Sequence, residues 1–230
     1  VIILNLPMPS TLQLNRFYTQ EFFWLVKSAL AEGGIFSFSL PGSLSYLSPQ
    51  MINLNGTILN TLKNTFSVNI IPGDSNLYLA SQNEFKFNPE IFLNRLKKND
   101  IETRLLNKPH LEYRLHPRWQ EWFYGSMPHY AKIRKNFDLL PSGTFYSISY
   151  WNTIFSPGTQ GLFKALDKIS LSSSLLVVII VGLGFFLLRI FLPKLRNLAI
   201  GFAITSSGFI GMSFDLIIIY AYQSCYGFVF

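Results

Sequence analysis

The chain has 230 residues, of which 49% are hydrophobic, 16% are aromatic and only 13% are charged. In soluble domains about a quarter of the residues are charged. The composition of this chain excludes a disordered chain, a coiled coil and a collagen-like chain. The net charge of +7 fits a protein that lies against an anionic membrane face or takes an anionic ligand. The basic residues form no dense run, so no nucleic-acid partner is expected. A single cysteine excludes an internal disulfide framework and a cysteine-based zinc site.

Strands and helices alternate over residues 1–106, which we interpret as one partial domain. The predicted strands cover 1–4, 35–39, 66–71 and 77–81, and the first is an apolar run of the kind buried on both faces. One predicted helix begins at Thr19 and ends at Gly33-Gly34, and a second covers 48–64. Such alternation favours a parallel doubly wound α/β sheet, and the short last connection favours an antiparallel pair at its end. Methyltransferase-type Rossmann sheets end in this way. Ligands of such sheets bind beyond the carboxyl ends of the strands, so the loop after Leu4 is the candidate site.

Residues 107–168 form an aromatic-rich connecting segment. Just before it, Asn88-Pro89 predicts a helix through Lys98. An aromatic cluster is predicted within the segment, as a packing or membrane-interface belt rather than a ring-stacking site, at Trp119, Trp122, Phe123 and Tyr124. The histidines have no cysteine partners and are predicted to be surface or capping residues rather than metal ligands; they are His110, His116 and His129.

Residues 169–230 are predicted to form a transmembrane hairpin, with helices over about 169–190 and 197–221. Lys168 and Arg189 are separated by 20 uncharged residues, and about 20 helical residues span the hydrocarbon core of a bilayer. A second apolar segment follows after a predicted basic turn, Pro193-Lys194-Leu195-Arg196. The chain begins without methionine and ends inside an apolar stretch, so we expect it to be a piece of a longer protein.

Two polar residues, Asp215 and Gln223, lie inside the second apolar segment. A carboxylate at membrane depth costs a few kcal/mol unless it faces protein or water. We give equal weight to two interpretations of Asp215, a contact with an ion, proton or substrate and an interhelical hydrogen bond to Gln223 or Tyr222. Small residues from Gly201 to Ser213 would let another helix approach closely, which leaves room for further spans or an oligomer.

A specific motif follows the first strand. Asn5-Leu6-Pro7-Met8-Pro9-Ser10-Thr11 continues into Gln13-Leu14-Asn15-Arg16-Phe17-Tyr18-Thr19 and Glu21-Phe22-Phe23. It resembles the corresponding motif of membrane-bound spermidine-synthase-like proteins, in which an aminopropyltransferase-type domain is fused to transmembrane helices. Other agreeing stretches cover nearly the whole chain; they are Ile71-Pro72-Gly73, Leu79-Ala80-Ser81, Asn136-Phe137-Asp138-Leu139-Leu140-Pro141, Tyr150-Trp151, Gly208-Phe209-Ile210-Gly211-Met212, Asp215, Tyr222-Gln223 and Tyr226-Gly227.

The resemblance implies a donor, decarboxylated S-adenosylmethionine or S-adenosylmethionine itself, whose binding loop would precede Val1. It also implies aminopropyl transfer to a small-molecule amine in polyamine biosynthesis. The loop from Asn5 to Tyr18 would line the acceptor side, with substrate-binding residues at Pro7, Pro9, Gln13, Tyr18 and Ser39.

The acidic positions of the family are changed in this sequence. The family's catalytic aspartate falls at Asn5, and two further acidic positions fall at Met8 and Pro41. An amide can orient an amine but cannot accept its proton. Glu21 is therefore the candidate base, and its alternative interpretation is a favourable contact with the positive end of a helix.

Two other functional classes stay open. The first is a membrane transporter or sensor whose Rossmann-like domain binds a small ligand without turning it over, and the second is a scaffold for other membrane proteins. We expect an integral, multi-pass plasma-membrane protein. A cytosolic donor would place the soluble domain in the cytoplasm, although the distribution of basic residues favours the outside by one charge.

Overall fold

The computed structural model describes residues 1–85, 88–191 and 196–226. The chain divides into a first unit, whose main part is Val1–Trp151, and a second unit, Asn152–Tyr222. This boundary falls inside the predicted connecting segment, 107–168. Of the predicted basic turn, Pro193-Lys194-Leu195-Arg196, residues 193–195 lie outside the described residues and Arg196 begins the last helix.

The first unit is a mixed α/β domain. Its strands are β1 (Ile2–Leu4), β2 (Phe36–Pro41), β3 (Ser67–Ile71) and β4 (Ser75–Ser81). Its helices are α1 (Leu12–Asn15), α2 (Gln20–Ala29), α3 (Pro49–Leu62), α4 (Pro89–Lys98), α5 (Lys108–Arg114), α6 (Pro117–Ser126) and α7 (Ser142–Phe155). All four predicted strands and the three helices predicted in this part of the chain are confirmed.

Polar side chains at the helix starts explain why the boundaries could be predicted. Thr19, Ser48 and Asn88 precede α2, α3 and α4, and each accepts a hydrogen bond from a backbone N–H group in the first turn. Such bonds satisfy donors that have no partner inside the helix. α2 ends at Ala29, before the predicted glycine stop. Gly33 then adopts a φ of 69°, a left-handed conformation that glycine accepts without strain.

The sheet has the strand order β1-β2-β4-β3. β1 is parallel to β2, with Leu4 opposite Phe38, whereas β4 is antiparallel to both β2 and β3. The few residues between β3 and β4 can only form a hairpin, because a parallel connection needs a dozen residues or more. The predicted antiparallel pair is thus confirmed, with β4 inside the sheet and β3 at its edge.

The prediction that the first strand is buried on both faces is wrong. Among the described residues β1 pairs with β2 alone, and Ile3 and Val1 are 72% and 88% exposed. Ile2 and Leu4 alone pack against the core. Successive side chains of a strand point to opposite faces. An apolar run therefore shows that both faces are apolar, but not that both are covered.

Aromatic rings form the centre of the core. Phe38 on β2 stacks on Tyr78 of β4 at a centroid distance of 4.9 Å, and its ring also meets those of Tyr18 and Phe23. These four side chains are at most 2% exposed. Ring pairs of this kind add about 0.5–1.5 kcal/mol each beyond their buried area. This core fixes α2 and the end of the loop after β1 against the sheet.

The second unit contains one amphipathic helix and two apolar helices among its described residues. They are α8 (Gln160–Lys168), α9 (Leu171–Phe191) and α10 (Arg196–Tyr226), which confirms helices over both predicted spans. By length and composition, Gly201–Gln223 in α10 can cross a membrane, and α8 with α9 forms a second candidate span that is bent by 88°. The described residues therefore contain one or two candidate membrane-spanning helices at this end of the chain.

We expect Gly42→Ala to destabilise the first unit by about 1–3 kcal/mol, because overpacking has costs of this size. The Gly42 amide donates to the Asp74 carbonyl, and a Cβ atom at Gly42 would overlap the Asn76 side-chain oxygen and the Gly73 carbonyl oxygen. Urea titration of the full chain in detergent, followed by tryptophan fluorescence, measures the change.

Gly125→Ala is the matched control for this substitution. Gly125 lies in α6, and a Cβ atom there meets nothing within 4 Å. Replacement of a helical glycine by alanine should raise the free energy of unfolding by up to about 1 kcal/mol. Equal effects of the two substitutions would contradict the tight packing around Gly42.

Candidate functional site

The ends of β1 and β2 form the candidate site. Because these strands are parallel, their carboxyl ends lie at the same edge of the sheet. The pairing of Leu4 with Phe38 brings Asn5 and Ser39, the next residues of the two strands, to the same level of that edge. Asn5 is exposed and Ser39 is half-buried. The structure thus brings together two of the predicted site residues, an amide and a hydroxyl.

The Tyr18 side chain holds the loop after β1 in place. Its side chain is fully buried, and its hydroxyl donates to the carbonyl oxygens of Leu6 at 3.1 Å and Pro7 at 2.9 Å. Burial raises the pKa of Tyr18 well above its usual value, so the phenol keeps its donor proton at alkaline pH as well as at pH 7. In this arrangement the hydroxyl holds the loop in place.

The remaining predicted residues of the loop differ in burial. Pro7 is exposed, whereas Pro9 is buried beneath it. Gln13 is half-buried on α1. Pro7 and Gln13 are therefore accessible to a ligand at this edge, and Pro9 shapes the loop.

Glu21 lies in the first turn of α2, where a negative side chain is favoured by the helix dipole. Its Oε2 atom accepts a hydrogen bond of 3.1 Å from the Asp138 backbone N–H group. The Asp138 side chain has a buried Oδ1 atom without a hydrogen-bond partner among the described residues. The predicted dipole contact is present, and Asp138 adds an acidic neighbour that sequence reasoning did not single out.

Asn136 joins the loop after β1 to three helices. It is fully buried, and its backbone and side chain make hydrogen bonds of 2.8–3.0 Å to Asn15, Tyr18, Gln20, Thr61 and Gly143. Both side-chain polar atoms of Asn136 are paired. At Gly143, a Cβ atom would lie 2.6 Å from the Asn15 side-chain oxygen. A carboxamide can bridge these segments because it both donates and accepts.

Asn55 organises the end of β2 in the same way. Its Oδ1 atom accepts from the Tyr78 hydroxyl at 2.7 Å and from Asn76 Nδ2 at 3.1 Å, while its Nδ2 atom donates to the Pro41 carbonyl at 3.0 Å. Asn55, Asn76 and Tyr78 are all fully buried. These bonds fix the position of Pro41, where the family resemblance places an acidic residue. Because Pro41 occupies this position and its hydrogen-bond partners are neutral, the candidate site has no carboxylate here.

An apolar cavity of about 330 Å³ lies on the other face of the hairpin. Its walls come from alternate residues of β3 and β4, namely Ile71, Leu77 and Leu79, and from α4 and α5. Arg95 is the one charged residue among its described lining. The volume is about twice that of a ~150 Å³ apolar cavity that holds benzene. The alternation of Leu77 and Leu79 predicted a strand, but no local pattern indicated a cavity next to it.

The predicted aromatic cluster divides between core and surface. Phe123 is fully buried, whereas the Trp119 ring packs edge-on against Tyr113 at 5.3 Å. One histidine has the predicted capping role, because His116 Nδ1 accepts from the Arg118 N–H group at the start of α6.

The other two histidines, His110 and His129, are exposed, as predicted for surface residues. In the part of the chain that the structure describes, no group of three histidine, cysteine or acidic residues is arranged to hold a metal ion.

Asp215 and Gln223 lie on α10, about two helical turns apart. Asp215 is exposed and Gln223 is half-buried. A Cβ atom at Gly201, Gly208 or Gly211 would meet nothing within 4 Å. The small-residue face of α10 therefore has room for a neighbouring helix.

The sheet and its candidate site define a mixed α/β domain joined to apolar helices. No family model and no curated protein matches the chain. The resemblance to spermidine-synthase-like proteins therefore rests on the motif residues given above.

We expect Asn136→Ala to lower the free energy of unfolding by about 2–4 kcal/mol, because it leaves several buried groups without partners. Hydrogen exchange should also become faster in the loop after β1. Asn94→Ala, at an exposed position of α4, is the control and should change stability by less than about 0.5 kcal/mol. Urea titration and exchange mass spectrometry provide the two readouts; unchanged loop protection in Asn136→Ala would contradict the assigned role.

Proposed function

We propose that the chain carries a membrane-anchored, spermidine-synthase-like transferase domain that uses a donor derived from S-adenosylmethionine. The observation that carries this proposal is the sheet order β1-β2-β4-β3, with antiparallel β4 inserted beside parallel β1 and β2. A methyltransferase-type Rossmann sheet ends in this order. The motif from Asn5 to Glu21 follows the strand after which such domains place their acceptor site, which supports the more specific assignment.

The acceptor in this proposal is a small-molecule amine at the shared edge of β1 and β2. The Asn5 amide and the Ser39 hydroxyl can orient its nitrogen. That nitrogen attacks the propyl carbon next to the donor's sulfonium sulfur, the carbon–sulfur bond breaks, and its electron pair leaves with the thioether product. The nitrogen also loses a proton, for which a carboxylate is the suitable acceptor. Glu21 is the proposed base, and Asp138 is its acidic neighbour.

The localisation follows from the same chemistry. The donor is a cytosolic metabolite, so the transferase domain would face the cytoplasm. The candidate spanning helices at the other end of the chain would anchor it in the plasma membrane.

Glu21→Gln should abolish turnover and leave donor affinity unchanged. The substitution keeps an oxygen that can accept the Asp138 N–H bond but removes the basic carboxylate, so it separates proton transfer from folding. Calorimetric titration of the full-length protein in detergent should show saturable binding of decarboxylated S-adenosylmethionine and of methylthioadenosine by both proteins. Aminopropyl transfer to a panel of amines should occur with the wild type alone.

Two results would oppose this assignment. Unchanged turnover in Glu21→Gln would discard Glu21 as the base. Failure of decarboxylated S-adenosylmethionine, S-adenosylmethionine and methylthioadenosine to bind would discard the transferase as a whole.

The apolar cavity favours a second candidate function, a ligand-binding domain of a membrane transporter or sensor that does not turn its ligand over. At about 330 Å³ the cavity is within the range of small-molecule sites. Its largely apolar walls suit an apolar body, and Arg95 at the wall suits a single anionic group. The neutral residues at the shared strand edge agree with a domain that binds without catalysis.

A cavity-filling substitution tests the second function. The wild type should bind 2-naphthalenesulfonate, a probe with two rings and one negative charge, in calorimetry with empty detergent micelles as the blank. Leu96→Trp places a large ring in the cavity and should reduce affinity at least tenfold, whereas Leu105→Trp, at a neighbouring position that is 76% exposed, should not. Equal binding by the two variants would show that the probe binds elsewhere.

A further inference from the structure

α8 separates its apolar and polar residues onto two faces. At 100° per residue, Leu162, Leu166 and Ile169 fall on one side of the helix, and Gln160, Lys164 and Lys168 fall on the opposite side. Leu162 and Leu166 are 58% and 43% exposed, although they are large aliphatic side chains. Within the part of the chain that the structure describes, no residue covers this apolar face enough to remove it from water.

Specific hydrogen bonds define the break between α8 and α9. Ile169 is extended and ends α8. Ser170 and Ser173 then exchange hydrogen bonds, because each hydroxyl accepts from the backbone N–H group of the other, at 3.1 and 3.0 Å. This reciprocal pattern is a capping box, which satisfies the free donors at the start of a new helix. The capping box explains why α9 begins anew here rather than continuing α8.

The two helices meet at 88°. α9 is apolar along its length, and its first 18 residues, up to Leu188, contain no charged residue. If α9 crosses a bilayer, a helix at a right angle to it runs parallel to the membrane surface. The axis of α8 is about 13 Å long, at 1.5 Å per residue.

The geometry points to α8 as an interfacial helix that lies on the bilayer, with Leu162, Leu166 and Ile169 in the acyl-chain boundary and Lys164 and Lys168 toward the lipid headgroups. Amphipathic helices with basic polar faces bind lipid surfaces in this way, and their apolar face enters about 5–10 Å. The two lysines complement anionic headgroups. This inference rests on α9 as a membrane span and is independent of the proposed transferase chemistry.

The charges of α8 argue against its insertion as part of a span. Lys164, Asp167 and Lys168 fall within the nine residues of α8, and a charged residue at the centre of a bilayer is strongly unfavourable. In the plane of the interface the same residues remain in water or among headgroups. The right angle and the charge pattern therefore both favour an α8 that lies parallel to the membrane surface.

Site-specific labels distinguish the environments of the two faces. The full chain with Cys225→Ser receives a single new cysteine, either Leu166→Cys on the apolar face or Lys164→Cys on the polar face, and each is labelled with the fluorophore NBD. The proteins are reconstituted in vesicles of phosphatidylcholine with phosphatidylglycerol. Nitroxide-labelled lipid reports contact with the acyl region, and iodide reports contact with water.

The expected result is a clear difference between the two positions. The label at 166 should be quenched by nitroxide lipid at least three times more strongly than the label at 164, and iodide should show the reverse order. Quenching of both labels mainly by iodide would overturn the proposal, because α8 would then not contact the membrane. Strong lipid quenching of both would also overturn it in favour of an inserted segment, and protection of position 166 from both quenchers would show that protein covers it.

Discussion

The first unit depends on the complete pairing of one buried carboxamide. Asn136 comes late in the chain, yet its hydrogen bonds reach the loop after β1, the start of α2, α3 and the start of α7. A buried polar group without a partner costs about 1–3 kcal/mol, so these segments have to adopt compatible positions together. The candidate site is therefore positioned by residues far from it in sequence. The same hydrogen bonds restrict the motion of the loop after β1.

The chemistry of the site follows from a contrast between its two sides. The shared edge of β1 and β2 presents neutral groups, because Asn5 and Ser39 are there and Pro41 is held by the neutral Asn55 network. The Glu21 carboxylate lies at the start of α2 instead, where it accepts a hydrogen bond from the Asp138 backbone N–H group. A transferase built on this domain would separate the groups that orient an acceptor from the group that takes its proton, whereas a binding domain would need only the first set.

Local patterns predicted the elements, and long-range contacts determined what the patterns could not show. Apolar alternation and the caps at Thr19, Ser48 and Asn88 were sufficient to place strands and helices, because these signals act within one turn. The exposure of Ile3, the role of Asn136 and the cavity next to Leu77 depend on which segments meet in the folded chain, and no local pattern records those contacts. Polar residues such as Asn136 are also ambiguous in sequence, since a surface asparagine and a buried one have the same code letter.

The close contacts at Gly42 and Gly143 have an evolutionary consequence. Any side chain at these positions would collide with a carboxamide of the buried networks, so selection should remove nearly every substitution there, whatever the domain binds. Asn5, exposed at the strand edge, is under no such steric constraint and is free to diverge with the ligand. Distant relatives should therefore be recognisable by two invariant glycines spaced about a hundred positions apart, each matched to its asparagine, even where the residues of the site have changed.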